Sequence, residues 1–224
     1  MRSPMMLPRL AIVDPELTHD LPAAITAGTG LDALTQLIKS YISLRHNPMT
    51  DAVCLEGIRL VSRSLRRACQ NGKDASARED MALASLFGGL ALANSGLGVV
   101  HGFAAPLGGR FAAPHGATCA ILLAPGMEVN IRALRERVPG SEYLERYRTA
   151  ATVLTGNPGA APEEGAAFVH GLCADLSIPP LRSYGIVAAD VAALVKKASA
   201  TSSMKGNPFM LTAEELATVF LQAL

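Results

Sequence analysis

Three observations predict an all-α, bundle-like domain for these 224 residues. Apolar positions recur at helical spacing in most segments after Leu21. Aromatic residues make up only 4% of the chain and tryptophan is absent, while alanine, leucine and glycine are abundant, a balance that suits close-packed helices better than a sandwich or barrel. The cap signals, Asn47-Pro48-Met49-Thr50 and Thr212-Ala213-Glu214-Glu215, are those of helix starts.

The first element is the exception. Residues 10–13 (LAIV) form a short apolar run closed by Asp14-Pro15, the pattern of a strand ending in a turn. A lone strand leaves its backbone groups unpaired, so its partner is expected outside this sequence. A helix follows with Leu31, Leu34, Ile38 and Tyr41 on its apolar side and Asp32 and Gln36 one turn apart on the other. Thr29 is its expected cap. The Asn47 motif opens a helix containing Val53, Ile58, Val61 and Leu65; a third starts after Asn71-Gly72-Lys73-Asp74 and runs towards Asn94, its Gly88-Gly89 pair implying close packing. Residues 95–126 then hold seven glycines and three prolines among apolar residues, together with His101 and His115. Such a stretch suits short elements packed tightly around a site. Beyond it lie an amphipathic stretch over 132–148, a Gly/Pro/Ala-rich connector near 156–162, and helices starting near Glu163, Val187 and Thr212.

Composition narrows the function. A formal net charge of +1 with scattered Lys and Arg gives no footprint for nucleic acid or an anionic membrane. No segment has about 18 uninterrupted apolar residues, so no membrane span is expected and a cytoplasmic protein is the default. Cys54, Cys69, Cys119 and Cys173 are far apart with no Cys-x-x-Cys, which predicts reduced core residues and no zinc ribbon or disulfide framework. His19 and His46 read as loop residues, His170 as mid-helix, and the cluster 63–67 as the solvated face of its helix.

Asp32, His101 and His115 are the candidate chemical residues: one carboxylate and two imidazoles are a ligand set that suits Fe²⁺ or Zn²⁺ with open positions for substrate. Spacing alone leaves the alternative of a helix-start carboxylate and two hydrogen-bonded core or loop histidines.

The motifs in order add more. Asp14-Pro15-Glu16-Leu17, Gly30-Leu31-Asp32-Ala33-Leu34, Asn47-Pro48 followed by Asp51, Gly98-x-Val100-His101-Gly102, Pro114-His115-Gly116-Ala117 and Ser202-Ser203-Met204-Lys205-Gly206-Asn207-Pro208 together resemble the iron-containing (group III) alcohol dehydrogenases over nearly the whole chain. The resemblance implies the C-terminal helical domain of the dehydroquinate synthase-like fold over 21–224. Residues 1–20 would be the end of a missing α/β nucleotide-binding domain and its linker. It implies an NAD(P)-dependent oxidoreductase of small alcohols or aldehydes; a separately encoded nucleotide-binding half is the candidate partner, and a homo-oligomer is expected. Gly96-x-Gly98 is no dinucleotide fingerprint, since it follows a helix and lacks the third glycine.

The same resemblance places Asp32, His101 and His115 on metal-ligand positions, with Gln36 where a further histidine ligand stands. Ala105 occupies a position that is histidine in many relatives. A carboxamide oxygen is a weaker and harder ligand than imidazole. Two site readings therefore stay open: a metal site built on Asp32, His101 and His115 with Gln36 beside it, or a metal-free member, as in branches resembling maleylacetate reductases, where Gln36 bonds Asp32 or substrate. A different class of reading is a non-catalytic helical or oligomerisation module that has lost the site. A metal-dependent hydrolase is weaker, because no general base accompanies the ligands.

Overall fold

In the computed structural model, which describes Met5 and residues 8–224, the chain is a helical domain with no strand among the described residues. Nine α-helices are described: α1 (Ala23–Tyr41), α2 (Pro48–Gln70), α3 (Ala75–Ser95), α4 (Val99–Gly108), α5 (His115–Arg137), α6 (Glu142–Thr155), α7 (Pro162–Asp175), α8 (Val191–Ser199) and α9 (Ala213–Gln222). The expected strand over 10–13 is not formed. Leu10 and Ile12 are exposed and have no ladder to join, so their β-branched and apolar character has nothing to act on.

α1 is the central rod, packed on α2, α3 and α5. Leu31, Leu34, Thr35, Leu37 and Ile38 are fully buried and Ala33 and Lys39 nearly so, which commits most of the helix circumference to the core and leaves one side for Asp32 and Gln36. Its start lies earlier than the cap signal suggested: Pro22 stands at the N-cap and Thr29 is internal, its hydroxyl donating back to the Ile25 carbonyl at 2.8 Å. A Thr or Ser inside a helix bonds its own preceding turn instead of capping. The other two cap assignments match the structure. Asn47 accepts from Met49 and Thr50 to start α2, and Thr212 closes a capping box with Glu215 to start α9. Asp74 caps α3 by accepting from Ala77.

The glycine-rich stretch becomes the α3–α4 corner, α4 and the start of α5. α3 ends at Gly96, whose φ of 77° is a conformation open to glycine, and α4 departs at 101° to α3. Hydroxyls from the end of α1 hold this corner: Ser43 Oγ donates to the Ser95 carbonyl at 2.6 Å and Ser40 Oγ to the Gly96 carbonyl at 3.1 Å. The amphipathic stretch over 132–148 is split, with α5 ending at Arg137 and α6 starting after Ser141. α5 is also the one described single helix long and apolar enough to cross a bilayer, but 83% of that stretch is buried inside the protein, where it forms core with α1, α7 and α9.

The cluster over 63–67 is ion-paired. Arg63 pairs with Asp80, Arg66 with Asp175 and Arg67 with Asp74, each at 2.7 to 2.8 Å, linking α2 to α3 and α7 along an exposed face. All four cysteines are free, and Cys54, Cys119 and Cys173 are buried.

Candidate metal centre

Three helices deliver side chains to one point. Asp32 and Gln36 come from α1, His101 from the first turn of α4, and His115 from the first residue of α5. Close backbone approach makes this possible. A Cβ added at Gly116 would lie 2.5 Å from the Gly28 carbonyl oxygen, so α5 starts in direct backbone contact with α1. On α4, a Cβ on Gly102 would lie 2.7 Å from Met204 Cε, and one on Gly206 would overlap the Leu97 carbonyl.

The segment over 202–208 thereby acquires a role that its sequence did not disclose. Asn207 Oδ1 accepts from the Val99 N–H at 3.2 Å, satisfying one of the free donors at the start of α4, while Asn207 Nδ2 donates to Asn130 Oδ1 on α5 at 2.7 Å. One buried amide thus ties the His101 helix to the His115 helix.

His101 Nε2 lies 3.3 Å and His115 Nε2 3.7 Å from Asp32 Oδ1. The two imidazole rings are 5.6 Å apart between centroids. His101 is buried at 7% exposure and forms the floor with half-buried Asp32, whereas the His115 side chain is 57% exposed and stands at the rim. Gln36 donates from Nε2 to Asp32 Oδ2 at 3.0 Å, and its Oε1 is turned towards Gly88 on α3. The Gly88 of the predicted close-packing pair is where that packing occurs; Gly89 faces open space.

A fourth donor was missed in the sequence. Cys119 follows His115 by one turn on α5, and its Sγ lies 3.5 Å from His115 Nε2 and 3.7 Å from His101 Nε2. Its i, i+4 relation to a candidate ligand was the available signal, hidden because an isolated cysteine in an apolar run reads as core. One donor atom each from Asp32, His101, His115 and Cys119 lie within 4.8 Å of one another.

The electrostatics follow from this crowding. Burial pushes the Asp32 carboxyl up, but the close His101 and His115 imidazoles outweigh it and hold it below the ordinary carboxylate range. Burial first, and then the Asp32 charge, push the Cys119 thiol up. Asp32 Oδ1 is buried without a hydrogen-bond partner although two imidazole nitrogens stand close to it. Cys119 Sγ is within hydrogen-bonding reach of both imidazoles, and the convergence of one carboxylate oxygen, two imidazole nitrogens and one thiol within 4.8 Å is a donor set that fits Fe²⁺ or Zn²⁺.

The remaining histidines stand elsewhere. His46 pairs with Asp51 at 3.1 Å, His170 with Glu128 at 3.0 Å, and His19 ends a 3-10 turn. Ala105 is exposed one turn after His101.

Known proteins resemble the chain over most of its length. The family model described as Fe-containing alcohol dehydrogenase family, C-terminal, matches residues 26–224. The chain is 38% identical over 219 residues to the 1,3-propanediol dehydrogenase of Klebsiella pneumoniae, covering 97% of this chain and 55% of that protein. Among solved structures, a 1,3-propanediol oxidoreductase superposes with a TM-score of 0.87 at 36% identity, over 94% of this chain and 55% of the other. The sulfoacetaldehyde reductase of Bifidobacterium kashiwanohense, solved in complex with NAD⁺, gives 0.82 at 29% identity, over 97% and 55%. The chain spans about half the length of the curated relatives it matches.

Proposed function

We propose, for a chain that belongs to the Fe-containing alcohol dehydrogenase family, that Asp32, His101 and His115 form the metal and substrate site of an NAD(P)-dependent oxidoreductase of small alcohols and aldehydes, of which these helices are the metal-holding part. The observation that carries the reading is the convergence of side chains from α1, α4 and α5 on one point, with donor atoms within 4.8 Å. A divalent ion held there would polarise the substrate oxygen, and a nicotinamide would exchange hydride with the carbon bearing it.

The chain's own residues supply the positioning. Asp32 brings the negative charge that offsets a cation, and Gln36 fixes its rotation by holding Oδ2. His101 is buried at 7% exposure, on a helix whose Val99, Val100 and Phe103 are fully buried, so it forms the enclosed side of the site. His115 and Ala105 are exposed, which leaves the opposite side open to a small substrate. The relatives' names point to short diols and aldehydes as substrates to try first.

The test combines metal and activity. Purified protein incubated with excess Fe²⁺ or Zn²⁺ should retain close to one ion per chain, and Asp32→Ala should retain none. NAD(P)-dependent oxidation of 1,3-propanediol, assayed for the chain alone and with a nucleotide-binding half supplied separately, should depend on that ion. Failure of both metals to bind wild type would remove the metal-site reading.

A further inference from the structure

We propose that Cys119 is the fourth protein ligand of this centre, giving an Asp32–His101–His115–Cys119 donor set that selects Zn²⁺ over Fe²⁺. The proposal deepens the metal-site reading and rests on it; with four protein ligands the substrate oxygen enters as a fifth, by the expansion that catalytic zinc undergoes.

The distances carry the argument. Around a tetrahedral zinc, with Zn–N and Zn–O near 2.1 Å and Zn–S near 2.3 Å, a nitrogen and an oxygen ligand sit about 3.4 Å apart, and a nitrogen and a sulfur about 3.6 Å. The observed separations are 3.3 and 3.7 Å for the two imidazole nitrogens from Asp32 Oδ1, and 3.7 and 3.5 Å for the same nitrogens from Cys119 Sγ. Four of the six edges of the donor tetrahedron therefore have the lengths that one ion would impose, and all six are below 4.8 Å.

Gln36 does not compete for the position. Its Nε2 donates to Asp32 Oδ2 and its Oε1 faces Gly88, so the amide is engaged on the carboxylate and on α3. Cys119 reaches the cluster from α5, one turn after His115, and is fully buried beside the two histidines and Asp32. Binding exchanges the S–H bond for a sulfur–metal bond, and the proton leaves to buffer. A thiolate is the soft member of the set and favours Zn²⁺, whereas carboxylate and imidazole alone serve Fe²⁺ as readily.

Cobalt substitution tests this, because Co²⁺ takes zinc geometry and a bound thiolate gives a near-ultraviolet sulfur-to-cobalt charge-transfer band. Cobalt-loaded wild type should show the band. Cys119→Ser should lose it and bind Zn²⁺ more weakly by over about tenfold, the lower end of what even an outer partner of a ligand costs. Cys54→Ser and Cys173→Ser should keep it. Stoichiometric cobalt without the band, or a band that survives Cys119→Ser, would overturn the ligand assignment and leave a centre of one oxygen and two nitrogens standing. No cobalt bound at all would overturn both. X-ray absorption of zinc-loaded wild type reads the sulfur directly and needs no variant to fold: sulfur in the first coordination shell is expected, and its absence overturns the proposal.

Discussion

Gln36 donates its side-chain amide to Oδ2 of Asp32, one turn earlier on α1, at 3.0 Å, and leaves Oδ1 of the same carboxylate facing His101 and His115. Fixing one oxygen sets where the other points. Gln36→Leu should therefore weaken Zn²⁺ binding by about 10 to 100-fold, the usual effect of removing a partner that orients a ligand. A competition titration against a chromophoric chelator measures it. Unchanged affinity would show that Asp32 needs no such support.

Gly28 and Gly116 face each other where α1 meets α5, yet they should respond to alanine in opposite ways. A Cβ on Gly116 meets the Gly28 carbonyl at 2.5 Å, a backbone atom that cannot swing aside; one on Gly28 meets the Ala117 nitrogen at an ordinary 3.6 Å. Gly116→Ala should cost about 1 to 3 kcal/mol or more through overpacking and should separate His115 from Asp32, lowering metal affinity as well. Gly28→Ala should be neutral or stabilising by up to about 1 kcal/mol, because alanine is the better helix former. Urea unfolding of the two variants checks the contrast, and equal losses would contradict it.

Helix existence was legible where local chemistry decides it. Asn47, Asp74 and Thr212 cap helices because their oxygens bond donors two or three residues on, a rule contained in a few consecutive residues. Residue type alone put Asp32, His101 and His115 forward beside an equally open reading as ordinary structural residues, and only resemblance favoured their meeting, which depends on glycine contacts between helices far apart in sequence. Thr29 misled because a threonine serves equally well as a cap or as an internal residue bonding the preceding turn. The run over 10–13 has strand-like residues, but a strand is a property of a pair, and the described residues offer no second member. The Asn47-Pro48 motif with Asp51 was visible, but its purpose was not: Asp51 takes His46 from its own turn and Arg146 from α6, a partner 95 residues away.

Asn207 joins two site helices, so its loss should be felt in both stability and metal binding. Asn207→Ala leaves the Val99 N–H and Asn130 Oδ1 buried without their partner, a cost of about 1 to 3 kcal/mol for each group left unsatisfied. It also frees the start of α4, which carries His101. Thermal unfolding should show the loss, and histidine ring signals in NMR spectra should shift for His101 while those of His19 and His170 stay in place.

Lys39 gives the clearest pH prediction. It lies on α1 at 1% exposure, its Nζ has no hydrogen-bond partner among the described residues, and burial depresses it from 10.5 to about 7. In the unfolded chain the amine keeps its ordinary value. Between pH 7 and 10.5 the unfolded chain therefore holds a proton that the native state has released, and stability rises with pH by about 1.4 kcal/mol per unit. Below pH 7 both states are protonated and the full penalty of the buried ammonium applies. Lys39→Met keeps the long, flexible side chain and removes the charge, so it should be more stable than wild type at neutral pH. Its advantage should shrink by roughly 2 to 3 kcal/mol when denaturant unfolding is repeated near pH 9. Taking the difference between the two proteins cancels the titration of every group they share. An advantage independent of pH would mean that the Lys39 amine titrates near its ordinary value in the native state, through a path to solvent that its packing beside Gly126 does not provide.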